Sequence, residues 1–94
     1  MQPNQNQQMQ VKADDKTIQG VYANAVQAQF TKEEFVLDCM NMFPPVATLN
    51  ARIIMSPGHV KRVANMLMGL VAKYEAQHGA VTEAEAPQEI GFKA

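Results

Sequence analysis

The chain of 94 residues has no tryptophan, one cysteine, and only 18% charged residues with a net charge of −1. Each shortage excludes something. A single thiol, Cys39, cannot form an intrachain disulfide, and no Cys/His set has zinc-site spacing, so neither a disulfide framework nor a zinc module is expected. The near-zero charge gives no global pull toward nucleic acid or acidic membrane. No apolar run reaches the length of a membrane span. No charged stretch followed by an apolar run opens the chain, so no secretory leader is expected and a cytoplasmic location is the default. Without tryptophan, one common interface anchor is missing.

What is present is apolar: hydrophobic residues make up 47% of the sequence, including seven methionines. That composition is globular. A chain this short buries little core, and oligomerisation is one route to burying more. Met1 to Gln10 is rich in Gln and Asn and reads as a polar tail. Residues 80–94 read as an acidic tail, with Ile90 and Phe92 its largest apolar groups. A single domain is expected over residues 11–79, with a short edge strand at Val11 to Ala13 and a turn at Asp14 and Asp15.

Gly20 opens the first clear strand, and from Tyr22 the pattern alternates, with Tyr22, Asn24, Val26, Ala28 and Phe30 on one face and Ala23, Ala25, Gln27 and Gln29 on the other. Thr31 to Glu34 is the turn, although Thr31 with Glu34 also fits a helix capping box. Phe35 to Phe43 is readable either way. As a helix it places Asp38 inside an apolar stripe. As a strand it is apolar on both faces, with Phe35, Leu37, Cys39, Asn41 and Phe43 opposite Val36, Asp38, Met40 and Met42. The strand is preferred, and Pro44-Pro45 ends it. Ala47 to Met55 alternates again, with Ala47, Leu49, Ala51, Ile53 and Met55 opposite Thr48, Asn50, Arg52 and Ile54. Ser56-Pro57 is a helix start, Ser as cap and Pro at the first helical position. The helix is expected over Pro57 to His78, stopped by Gly79. Its apolar stripe is Val60, Val63, Ala64, Leu67, Leu70, Val71 and Tyr74. The expected fold is α+β: a small antiparallel meander of three to four strands, then one long C-terminal α-helix laid across one sheet face.

Gly20-Val21-Tyr22-Ala23-Asn24, Glu33-Glu34-Phe35-Val36-Leu37-Asp38, Pro44-Pro45 and Ala51-Arg52-Ile53-Ile54-Met55-Ser56-Pro57 follow one another in an order that resembles a known family. It is the domain-of-unknown-function family numbered 3467, short bacterial and archaeal proteins. His59-Val60-Lys61-Arg62 and Lys73-Tyr74-Glu75 continue the likeness on the helix. It covers about residues 18–79 and leaves the Gln-rich start and the Ala/Glu-rich end outside. The resemblance implies a compact intracellular domain and supplies no activity.

Five groups are candidates for function. Ser56, Gly58, His59, Lys61 and Arg62 open the helix, where free N–H groups attract anions or an acidic partner. The plainer reading is a solvated helix face. Arg52 with Asn24, Asn50 and Tyr22 suggests a single-stranded nucleic-acid surface, against which stands the lack of a basic stripe. Cys39 with His59 or His78 would be a nucleophile and base only if brought within hydrogen-bond reach, and a buried apolar thiol is the simpler expectation. Asp14, Asp15, Glu33 and Glu34 are ordinary turn acids. Val36, Met40 and Met42 on the strand, with Met66 and Met68 on the helix, are an apolar surplus that one sheet and one helix cannot bury, the mark of an oligomer or partner surface. The expected function is therefore non-catalytic: an interaction or assembly module, self-associating as a dimer, with no metal and no cofactor. A single-stranded nucleic-acid-binding protein and a holdase chaperone of the SecB kind are the alternatives.

Overall fold

The computed structural model describes residues 8–86. Its elements run α1 (Asp15–Gln19), β1 (Ala25–Phe30), β2 (Phe35–Phe43), β3 (Val46–Met55) and α2 (Pro57–His78). The three strands form one antiparallel sheet in the order β1-β2-β3. This is the expected α+β meander followed by a long helix, with Phe35–Phe43 a strand. Most of the expected N-terminal tail, and Ile90 and Phe92 of the C-terminal one, lie outside the described residues.

Local chemistry sets each boundary. The β1–β2 turn closes on Thr31, whose Oγ1 accepts from the backbone N–H groups of Glu33 and Glu34 at 3.2 Å. Pro44 and Pro45 make the two-residue turn between β2 and β3, with Phe43 opposite Val46. Ser56 caps α2 by accepting from the His59 N–H at 3.3 Å. Gly79 ends the helix at φ 95, where a side chain is strained, and its N–H donates to the Glu75 carbonyl.

Three expectations need correction. Val11 to Ala13 form no strand. Instead Asp14 caps the short α1 by accepting from the Thr17 N–H at 2.7 Å, and Gly20, at φ 79, turns the chain out of it. The first strand begins at Ala25, because the Asn24 side chain substitutes for backbone in the ladder. Its Oδ1 accepts from the Met42 N–H at 2.7 Å and its Nδ2 donates to the Met42 carbonyl at 3.0 Å. Just before it, the Tyr22 carbonyl accepts from Asn50 Nδ2 on β3 at 2.8 Å, so the entering chain crosses β2.

The third correction concerns α2, which does not lie across its own sheet. None of its residues is buried, and Leu67, Leu70, Val71 and Tyr74 of its stripe are 51%, 53%, 50% and 54% exposed. Only Val60, Val63 and Glu75 are half-buried. The cause is the link. A single residue, Ser56, separates Met55 from Pro57. Connections that turn a strand into a helix packed back on its sheet usually take about 2–6 residues.

Candidate functional site

The register of β2 and β3 shifts by one residue between Cys39 and Met40, and Asn50 is the extra residue on β3. A bulge of this kind re-aims side chains. Ala47 and Leu49 sit opposite Met42 and Met40, whereas Ala51, Ile53 and Met55 sit opposite Cys39, Leu37 and Phe35. The uniform alternation expected along β3 therefore fails at Asn50. Ala47 and Leu49 share a sheet face with Arg52 and Ile54, while Val46 and Thr48 share the other with Ala51, Ile53 and Met55.

One face carries a polar centre. Arg52 Nε donates to Asp38 Oδ1 at 2.7 Å and Arg52 Nη2 to Oδ2 at 3.0 Å, a two-pronged pair directly across the strands. The Asp38 side chain is 1% exposed and that of Arg52 is 51% exposed. The guanidinium hydrogen bonds hold the Asp38 carboxyl below its ordinary range, against desolvation, with the charge attraction adding to them; Arg52 is raised by the same bonds. Beside this pair lies Met40, also 1% exposed, flanked across the strands by the buried Ala25.

The other face has no charged residue. β1 gives it Val26, Ala28 and Phe30, and β2 gives it Phe35, Leu37, Cys39, Asn41 and Phe43. Val46, Thr48, Ala51, Ile53 and Met55 complete it from β3. Phe30 stacks on Phe35 with ring centroids 5.4 Å apart. Val26, Phe30, Phe43, Val46 and Ile53 are exposed, while the central residues Phe35, Leu37 and Cys39 are half-buried by their neighbours. Asn41 Oδ1 is shielded from solvent and accepts no hydrogen bond.

The sequence candidates are distributed as follows. Met40 is buried within the chain, so it offers no surface, and Val36 and Met42 are half-buried. The opposite face exposes Val26, Phe30, Phe43, Val46 and Ile53, while Leu49 and Ile54 are the exposed large apolar residues on the Met40 face. Met66 and Met68 are exposed on α2. Ser56, Gly58, His59, Lys61 and Arg62 come together on the first turns of α2, where Arg62 Nη2 donates to His59 Nδ1 at 2.8 Å. Arg52 does not join them, being held by Asp38. Asn24 and Asn50 spend their amides on the backbone. Cys39 is half-buried in β2, while His59 stands at the start of α2 and His78 at its end, its ring tilted against that of Tyr74 with centroids 4.7 Å apart. Asp14 caps α1, its carboxyl held low by the hydrogen bonds from Thr17. Glu33 and Glu34 lie in the β1–β2 turn. Among the described residues no three His, Cys, Asp or Glu side chains group as a metal site. No described helix is long and apolar enough to cross a membrane.

Sequence reasoning did not pair Asp38 with Arg52, although a signal was there. Asp38 is the single charge in β2 and Arg52 the single charge in β3. Counting back from the two-residue Pro44-Pro45 turn sets Asp38 opposite Ala51. Only an extra residue in β3 lets the two charges meet.

Several of the residues behind the resemblance have structural work here: Gly20 at positive φ, Asn24 in the ladder, Asp38 with Arg52, and Ser56-Pro57 at the helix start. The family profile described as "Protein of unknown function (DUF3467)" matches residues 1–83. The chain belongs to this family. The match takes in the Gln-rich start that the motifs alone left outside. No curated protein and no solved structure matches the chain.

Proposed function

We propose that this DUF3467 chain is a non-catalytic assembly module whose first partner is a second copy of itself. One observation carries the reading. The same chain leaves two apolar surfaces in water, the stripe of α2 and the uncharged sheet face, and its own geometry keeps them apart. Exposed apolar patches of this extent mark interaction sites. The motif residues Asn24, Asp38, Arg52 and Ser56 are engaged in holding the fold, which supports a structural reading of them over a catalytic one.

Homodimerisation makes folding and association one process, so the melting temperature rises with protein concentration. Thermal unfolding of the full chain over a hundredfold range of concentration tests this. A melting temperature independent of concentration removes the reading. The same uncharged face also suits an extended apolar client, which supports the holdase alternative. Suppressed aggregation of a denatured client by the full chain, weakened by a charge placed on that face (Ile53→Asp), is its signature. Nucleic acid binding has less support, because both prongs of Arg52 are taken by Asp38. The lone thiol fits a reducing, cytoplasmic setting.

A further inference from the structure

We infer that the dimer is a reciprocal exchange: α2 of each copy lies along the uncharged sheet face of the other. This rests on the self-association reading and specifies its geometry. Three arguments lead to it. The first is the Ser56 link, which is too short to fold α2 back onto its own sheet. Among the described residues nothing of the chain covers the stripe, and we assign its cover to a second copy.

The second is fit. α2 has 22 residues, hence a length of about 33 Å. β2 has nine residues, hence about 30 Å. A helix is about 10 Å across with its side chains, and the three-stranded face spans roughly two strand spacings of about 4.8 Å each plus its edges. One helix therefore covers one face.

The third is completeness. A twofold axis requires both copies to offer the same surfaces. Side-by-side helices would leave both sheet faces bare, and stacked sheets would leave both stripes bare. Only the exchange covers all four surfaces. A half-exposed large side chain has roughly 100 Å² still to bury. Leu67, Leu70, Val71 and Tyr74, with the exposed residues of the sheet face, thus give on the order of 800 Å² per copy, the size of a standard stable interface. Lys61, Arg62 and Lys73 remain on the outer side of the helix, away from a face that carries no charge to pair with them.

Native Cys39 sits at the centre of the sheet face and serves as the probe. A full-length double variant, Cys39→Ala with Leu70→Cys, is mixed with the native chain and treated with a short bismaleimide. The expected product has doubled mass, with peptide mapping linking Cys39 of the native chain to the helix position of the variant. Leu67→Cys and Val71→Cys, each with Cys39→Ala, repeat the test at neighbouring positions of the stripe, and Lys73→Cys on the polar face should not link. Circular dichroism confirms that each variant folds. A dimer by solution mass in which no stripe position links to Cys39 overturns the exchange and leaves self-association standing. A monomer overturns both. A link within one chain, found with Leu70→Cys alone, overturns the exchange by showing α2 on its own sheet.

Discussion

Leu70→Ala separates an interface helix from a solvated one by the sign of its effect. In the single chain Leu70 is 53% exposed, so association has about half of the side chain left to bury. Full burial of a leucine is worth about 1.5–3 kcal/mol, and half of it about 1 kcal/mol. Twofold symmetry uses the site twice, so truncation costs the dimer roughly 2 kcal/mol, a dissociation constant raised about thirtyfold. If α2 were instead solvated, the exchange would be neutral or slightly favourable, since alanine is the best helix former. Sedimentation equilibrium of native and variant chains, with Lys73→Ala as the polar-face control, measures the difference. An unchanged dissociation constant, or a stabilised variant with no change in association, refutes the reasoning.

Met40 is enclosed within one chain, so Met40→Ala should lower stability by about 2–5 kcal/mol in chemical denaturation whatever the state of association. Asp38 has a lowered folded pKa, so the stability it contributes is present above its unfolded value near 3.9 and is lost as pH falls through the folded value. Asp38→Asn should therefore flatten the acid limb of the stability curve below about pH 4 while lowering stability at neutral pH. Replacing the helix cap, Ser56→Ala, should cost about 1 kcal/mol and appear as faster amide exchange in the first turn of α2.

Much of the fold was legible because its boundaries are chemical. Ser56-Pro57 and Gly79 mark the ends of α2, and Thr31 and Pro44-Pro45 mark the turns, through bonds that these residues make locally. Period-two alternation identified the strands. It could not locate the Asn50 bulge, because a single inserted residue changes facing without changing composition. The surplus of apolar residues was visible in the sequence, but its face was not. Met40 read as surface and is core, while Val26, Phe30 and Ile53 face outward. Asn24 looked like a strand residue because its amide mimics the backbone of one. The direction in which α2 leaves the sheet depends on a one-residue link, whose consequence appears only in three dimensions.

The solution mass of the full chain, by light scattering after size exclusion, tests the central claim most directly. Self-association predicts twice the mass of one 10.4 kDa chain, held on dilution to low micromolar concentration. A single-chain mass at high concentration, with α2 folded and Leu70 still open to solvent, would contradict it.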